Sequence, residues 1–245
     1  MTHKIIGMIP ARFGSSRFPG KPLAKISGKS LIQRTYENAK RCPLLQEIYV
    51  ATDDERIFSH VEDFGGKAVM TSPDCPTGTE RLAEAIHLNF SEVDIVINIQ
   101  GDEPLLEPEV IQDVGEILLN DPVAVMSTAA VPIRSQEEAD SRSVNKCVID
   151  TSGNALYFSR SLIPGGHSEK WDPNITYYKH LGIYGYRRDF LIHYAELDPT
   201  PLQMAEDLEQ LKVLEHGFRI KVAVVDSQSI GVDTPDDVRR VEQKL

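Results

Sequence analysis

Short, continuous apolar runs alternate with helix-period segments through the first half of this chain. Residues 5–9, 48–51 and 95–99 are rich in Ile and Val, with little polar alternation. Runs of that kind are strands buried on both faces. Between them lie a helix over 31–41 with Ser30 as N-cap, a helix over 54–64 capped by Thr52 or Asp53 and stopped by Gly65-Gly66, and a helix over 81–89. Thr77-Gly78-Thr79-Glu80 has capping-box spacing ahead of the last of these. Pro108 starts a further helix, and 123–130 reads as another strand. Strand–helix alternation dictates an α/β fold of three layers: a mainly parallel sheet with helices on both faces.

The pattern changes after about Val144. Residues 146–149, a turn at 151–154 and residues 155–158 read as a hairpin, and 183–186 is a further strand. The stretch 164–178 is irregular and holds Gly165, Gly166, Pro173 and the only Trp, Trp171. Such an excursion forms a lid or a subunit contact. Helix returns over 204–215, strand over 220–225, and a closing helix over 235–243 with Thr234 as N-cap. With no long linker or repeat, residues 1–245 are expected to form a single domain, with a small β-rich insertion over about 144–186.

The first strand runs into Pro10-Ala11-Arg12-Phe13-Gly14-Ser15-Ser16-Arg17-Phe18-Pro19-Gly20-Lys21-Pro22. The loop combines two Gly, two Ser, two Arg and one Lys with no acid. Gly lets backbone N–H groups approach a ligand and the cations supply charge, which suits a polyphosphate. It is not a Walker A loop, because five residues separate Gly14 from Gly20 and Pro22 has no hydroxyl for a metal. It lacks the G-x-G-x-x-G dinucleotide fingerprint, which counts against a dehydrogenase. Lys21 stands ahead of any helix, the next one beginning near Ser30.

Charge sharpens this reading. The net charge is −11, which disfavours nucleic acid or an anionic membrane as partner. The first 36 residues nevertheless carry seven Lys or Arg and no Asp or Glu. One basic segment in an acidic protein fits a small polyanion better than a polymer. Cys42, Cys75 and Cys147 are odd in number and form no C-x-x-C pair, so free thiols in a reducing, cytoplasmic compartment are expected. No apolar run approaches membrane-spanning length.

Two carboxylates sit just past strands: Asp102 in Gln100-Gly101-Asp102-Glu103-Pro104 and Asp233 in Gly231-Val232-Asp233-Thr234-Pro235. Ligands of open α/β sheets bind at the carboxyl ends of strands, so both would share a rim with the basic loop. Two hard oxygen ligands beside a triphosphate make a magnesium site. Asp102 also reads as a turn residue and Asp233 as a helix-start residue. His180, Gly182 and Tyr184 fall on one strand face if the chain is extended from His180. A lone His near a strand start is usually structural, and Arg160 after Tyr157-Phe158-Ser159 is similar. Glu206, Glu209 and Gln210 on one helix would ordinarily form a solvated face. There is no G-x-S-x-G or H-E-x-x-H, which favours metal-assisted displacement over covalent catalysis.

The loop 10–22, the Gln100–Pro104 motif and the Gly231–Pro235 motif together resemble the cytidylyltransferases that activate acidic sugars. Thr77–Glu84, Ala155–Arg160, His180–Tyr186 and Leu208–Leu211 narrow the resemblance to the 3-deoxy-manno-octulosonate (Kdo) cytidylyltransferases, along nearly the whole chain. Phe13, Ser16 and Gln203 stand where Tyr, Thr and Glu are common in that family, and residues 165–178 match no family pattern.

The resemblance implies a nucleotide-diphospho-sugar transferase-like fold and transfer of CMP from CTP to the anomeric hydroxyl of Kdo. The products would be CMP-Kdo, for lipopolysaccharide biosynthesis, and pyrophosphate. The alternatives are the same reaction on sialic acid or 8-amino-Kdo, or a nucleotide-binding module without turnover. It implies that Arg12 and Lys21 neutralise the phosphates, that Asp102 and Asp233 hold Mg2+, and that Gly14, Ser15 and Arg17 complete the phosphate cradle. Ala11, Thr77, Gly78 and Arg81 would surround cytidine. Gln100, Arg160, His180, Tyr184, Glu209 and Gln210 would surround the sugar acid. It further implies a homodimer built through the 144–186 insertion.

Overall fold

Ile5, Ile6, Met8 and Ile9 are all buried, so the strand Ile5–Ala11 (β1) must lie inside the sheet, and it does. The computed structural model describes residues 3–14, 18–166 and 170–245. After β1 come a 3₁₀ turn (Lys21–Leu23), β2 (Lys25–Ile26), β3 (Lys29–Ser30), α1 (Leu31–Ala39), β4 (Glu47–Thr52), α2 (Glu55–Asp63), β5 (Ala68–Met70), α3 (Gly78–Asn89) and β6 (Ile95–Asn98). The chain continues through α4 (Pro108–Asn120), β7 (Met126–Pro132), α5 (Gln136–Asp140), β8 (Lys146–Ile149), β9 (Ala155–Ser159) and β10 (Tyr178–Arg187). It closes with α6 (Arg188–Glu196), α7 (Pro201–Glu206), α8 (Gln210–Glu215), β11 (Ile220–Val224) and α9 (Pro235–Glu242).

The main sheet has the order β11-β7-β10-β6-β1-β4-β5. All its neighbours pair in parallel except those of β10, which runs antiparallel between β6 and β7. Period-two alternation along each strand splits the core into two layers. Ile5, Ile9, Ile95 and Ile97 pack with Ile32, Tyr36 and Val114 of α1 and α4. Ile6, Met8, Val96 and Tyr186 pack with Leu82, Ile86, Leu191 and Leu211 of α3, α6 and α8. A separate small cluster of Ile26, Leu31, Val232 and Val241 fastens α9 to the β2–β3 hairpin. The mainly parallel sheet with helices on both faces is the architecture expected from the alternation.

Local chemistry explains most boundaries. Ser30 and Thr77 cap α1 and α3 by accepting from Gln33 N and Glu80 N. Helix α2 is capped by Asp54, which accepts from Arg56 N, rather than by Thr52 or Asp53. The neighbouring Asp53 is engaged instead by Arg81 of α3. The anticipated single helix over 204–215 is two helices, because Asp207 takes a left-handed φ of 54°. Asp tolerates that region better than most residues. The strand expected over 183–186 runs the full length of β10, with a bulge between Leu181 and Tyr184. The short edge strand β5 and helices α5 and α6 carried no pattern strong enough to read.

The β8–β9 hairpin pairs with the start of β10 through Tyr178–Cys147 and Lys179–Lys146. Its turn is set by Asp150, whose carboxylate accepts from Ser152 N, Asn154 N and Asn154 Nδ2. Lys146 is fully buried, yet its ammonium donates to the carbonyls of Ser141, Val144 and Arg160 at 2.6, 3.0 and 3.0 Å. Three acceptors offset the desolvation of one charge, although burial still lowers its pKa.

Strand β10 passes directly beneath α4 at Gly185. A Cβ there would lie 2.4 Å from Ser127 Oγ and 3.2 Å from Leu118 Cδ1 and Val114 Cγ1. Gly185→Ala is expected to destabilise the fold by about 1–3 kcal/mol through overpacking. Urea unfolding of the variant measures it, and an unchanged midpoint would mean that α4 is free to move away.

Candidate active site

The basic loop leaves the carboxyl end of β1 and is closed by Gly20, whose N–H donates to Phe13 O at 3.0 Å. Gly20 sits at φ 70°, and a Cβ there would lie 3.1 Å from the Phe13 ring. Arg56 stacks over that ring, 3.4 Å from its centroid. Lys21 opens the 3₁₀ turn, a helix of a single turn where none was expected. Its ammonium is aimed back at the sheet. It donates to Asp102 Oδ2 at 2.7 Å, to Val232 O at 2.9 Å and to Asp233 Oδ1 at 3.4 Å. One cation therefore joins three distant segments, and Val232 N adds a 2.8 Å bond to Asp102 O.

The segment carrying Asp233 has no regular structure of its own before α9, and two carboxylates hold it down. Glu107 accepts from Ser227 Oγ at 2.6 Å and Gln228 N at 3.0 Å, and Glu103 accepts from Ser229 Oγ at 2.6 Å. Burial, with help from the nearby Asp102 and Asp233 charges, raises the Glu103 pKa. Sequence reasoning passed over both residues. Their closeness to Asp102 was the available signal. Thr234 is the N-cap of α9 in a capping box with Asp237, whose carboxylate accepts from Asp233 N and Thr234 N. Asp233 is therefore not the capping residue.

A cleft of about 340 Å³ opens beside these groups. Its lining includes Ala11, Arg12, Lys21, Thr77, Gly78, Arg81, Gln100, Asp102, Glu209 and Asp233. Arg12 and Gly14 are exposed, whereas Ser15 and Arg17 lie outside the described residues. Gly78 brings the start of α3 against β1, where a Cβ would be 3.3 Å from Pro10 Cγ. Arg81 forms part of the wall but is buried and already partnered. It donates to Asp53 Oδ2 at 3.0 Å, Thr71 Oγ1 at 2.5 Å and Ser72 O at 3.3 Å. The guanidinium thus braces the loop that leads into α3. Cys75 on the same wall donates to Glu84, and burial with that carboxylate pushes its thiol up to about 11.

Gln210, Tyr184, His180 and Arg160 do not line this cleft; the first three form a connected polar layer, and Arg160 stands apart from them. Tyr184 donates to Gln210 Oε1 at 3.3 Å. The ring of His180 lies 5.4 Å from that of Tyr184 and 4.9 Å from that of Phe158. His180 Nε2 is 2.9 Å from Thr128 Oγ1, and burial lowers its pKa to about 3. Arg160 donates to the carbonyls of Glu206 and Asp207, and its own N–H donates to Glu206 Oε2. Glu206 therefore belongs to α7 and faces β9, while Glu209 and Gln210 begin the next helix and are turned inward. They are not one solvated face. The Asn98 Nδ2 and Gln210 Nε2 groups are buried without a protein acceptor. Asn98 pairs with Tyr184 across β6 and β10, so the two amides flank the same tyrosine.

His180 has a definite consequence for stability. Its pKa in the folded protein is about 3, below the ordinary 6.5. At acid pH the unfolded chain binds the extra proton, so the contribution is complete above about pH 6.5 and is lost as pH falls toward 3, by up to about 1.4 kcal/mol per unit. His180→Gln keeps a hydrogen-bonding group near Thr128 and removes the titration. The stability advantage of the wild type over this variant should shrink between pH 7 and pH 5 in urea titrations. A constant difference would show an ordinary histidine.

The family model for cytidylyltransferases matches residues 6–221. A 3-deoxy-manno-octulosonate cytidylyltransferase from Protochlamydia amoebophila is 56% identical over 247 residues, covering 100% of this chain and 95% of its own. The Arabidopsis thaliana mitochondrial protein of the same name is 52% identical and covers 99% of this chain and 83% of its own. Among solved structures, a CMP:2-keto-3-deoxy-manno-octonic acid synthetase complexed with CTP is 43% identical and superposes with a TM-score of 0.92 over 99% of this chain and 100% of its own. The sequence motifs, the fold and these relatives agree, and the chain belongs to the cytidylyltransferase family, in the branch of the 3-deoxy-manno-octulosonate cytidylyltransferases.

Proposed function

We propose that this chain transfers CMP from CTP to the anomeric hydroxyl of Kdo, giving CMP-Kdo and pyrophosphate. The observation that carries this reading is the convergence of Lys21, Asp102 and Asp233 at the mouth of a nucleotide-sized cleft, in a chain whose relatives bear that enzyme's name. The sugar hydroxyl attacks the α-phosphorus in line and pyrophosphate departs. Such a reaction demands positioning and charge neutralisation. Lys21, Arg12 and Gly14, with Ser15 and Arg17, are assigned to the phosphates. Lys21 offers its charge where pyrophosphate leaves. Ala11, Thr77, Gly78 and Arg81 are assigned to cytidine, with Arg81 acting through the loop it braces. Gln100, Glu209, Gln210, Tyr184, His180 and Arg160 are assigned to the sugar acid. Buried amide donors beside Tyr184 suit a ligand rich in oxygen acceptors.

Magnesium fits the residues present. Asp102 and Asp233 converge on a single point of positive charge, the Lys21 ammonium, so two hard oxygen donors already share a cation position. Among the described residues no group of three His, Cys, Asp or Glu could hold a metal, so the substrate phosphates and water would complete the shell. When bound, the ion supplies charge neutralisation across the phosphates and acidifies a hydroxyl beside them. Family kinship also supports a homodimer with contacts from the 144–186 insertion, which light scattering at working concentration would test. No helix among the described residues is long and apolar enough to cross a membrane. The three free cysteines accord with the cytoplasm as compartment.

The reading is tested by pyrophosphate release across CTP, UTP and ATP, each with Kdo, 8-amino-Kdo and sialic acid. Turnover should need CTP and Kdo together. Comparable rates with ATP or UTP would overturn the nucleotide assignment, and comparable rates with another sugar acid would overturn the sugar assignment. Asp102→Asn and Asp233→Asn are each expected to lower kcat by about 100-fold, equivalent to about 2.7 kcal/mol, with folding kept. Near-normal turnover by Asp233→Asn would remove that residue from the reaction.

A further inference from the structure

The first turn of α3 carries two threonines with different tasks. Thr77 caps the helix and exchanges hydrogen bonds with Glu80. Thr79 is buried, with an exposure of 4%, and its hydroxyl leaves the helix to donate to Glu209 Oε2 at 2.9 Å. A buried threonine inside a helix ordinarily returns its hydroxyl to its own backbone. Here it spans from the nucleotide-side turn to the sugar-side carboxylate.

Two side chains reach the Glu209 carboxylate: Thr79 of α3 and, by a second hydrogen bond, Tyr194 of α6. Glu209 lies at the joint between α7 and α8, just beyond the left-handed Asp207, as the N-cap residue of α8. Burial raises its pKa, and the Thr79 hydrogen bond opposes that rise. Around it Glu80 also favours the protonated carboxyl, while Lys212 and Tyr194 favour the carboxylate. Lys212 is fixed in turn, 4.0 Å above the Tyr194 ring and 3.3 Å from Leu197 O. Its ammonium is 3.9 Å from Glu80, beyond a hydrogen bond. Thr79 thus supplies the short, directional bond that reaches Glu209 from the cytidine-side helix, Tyr194 supplies a second hydrogen bond from α6, and Glu80 and Lys212 act through charge alone.

We propose that Thr79 is a positioning residue: its hydroxyl sets the Glu209 carboxylate toward the cleft and so ties the geometry of the sugar subsite to the first turn of the cytidine-side helix. This rests on the assignment of Glu209 to the sugar acid. Thr79 touches neither substrate. Its effect is exerted through Glu209, so sugar binding should depend on the hydroxyl while nucleotide binding should not.

The test is steady-state kinetics with CTP and Kdo both varied, for the wild type, Thr79→Val, Thr79→Ser, Glu209→Gln and the Thr79→Val/Glu209→Gln double variant, with thermal unfolding of each. Valine keeps shape and removes the donor. Thr79→Val should raise the Kdo KM about tenfold, with the CTP KM within about twofold, as expected for loss of one charge-assisted hydrogen bond. Thr79→Ser should restore the Kdo KM to within about twofold of wild type. The double variant should be no worse than Glu209→Gln alone, because Thr79 acts only through the carboxylate that glutamine lacks. If Thr79→Val folds poorly, Thr79→Ala serves as the donor-free variant. An unchanged Kdo KM in the donor-free variant, an equal rise in both KM values, or a failure of serine to rescue would overturn the proposal. The arms also separate the two readings. If Glu209→Gln leaves the Kdo KM unchanged, the sugar-side assignment falls and the proposal with it. If Glu209→Gln raises it and Thr79→Val does not, only the role of Thr79 falls.

Discussion

The ammonium of Lys21 is the point on which the site converges. Asp102 follows β6, Asp233 precedes α9, and neither segment contains a regular element that would bring the other near. Two carboxylates drawn together without a cation would repel, and the cost would rise in a half-buried cleft. Lys21 removes that cost by donating to both and to the Val232 carbonyl between them. The surrounding bonds serve the same end. Glu103 and Glu107 pin the 227–229 segment, and Val232 is buried with Ile26, Leu31 and Val241. The rim is thereby organised by its own residues, a form of preorganisation that phosphoryl chemistry rewards.

The second constraint is the antiparallel strand β10. A sheet of parallel strands alone presents a rim fed only by carboxyl ends. Strand β10 is inserted between β6 and β7 in the opposite sense, so its amino-terminal half, with His180 and the bulge at Gly182, reaches the same rim. The β8–β9 hairpin extends from there and carries Arg160. The cleft and a second polar layer therefore share one edge of the sheet. The joint at Asp207 completes the arrangement by turning Glu209 and Gln210 inward.

Buried charge is handled in one way around the cleft. Lys146, Lys212 and Arg81 are each almost wholly excluded from solvent, and each donates to backbone carbonyls in addition to any ion pair or ring contact. Carbonyl dipoles do not titrate, so these cations keep partners across a wide pH range, unlike pairs that rely on a carboxylate alone. Removing Lys146 would take the side-chain donor from three carbonyls, and removing Lys212 or Arg81 would take it from one each. The layer behind the cleft is held by polar bonds as much as by apolar packing.

Much of this was legible in the residues alone. The Ile- and Val-rich runs fixed β1, β4 and β6 as interior strands because no exposed strand can be apolar on both faces. The caps Ser30, Thr77 and Thr234, the basic loop after β1 and the two carboxylates past strands followed from local chemistry that acts over a few residues. The family resemblance rested on the same motifs. What local chemistry could not decide was anything set by partners far along the chain. The break at Asp207, the cap on Asp54 and the full length of β10 are outcomes of packing. So are the engagement of Arg81 by Asp53 and the reach of Thr79 to Glu209, which depend on where α3 lands against β4 and α8. Residue types specify which bonds are available, and only the tertiary fold decides which of them are made, because a hydrogen bond acts over about 3 Å and the chain must first bring its donors there.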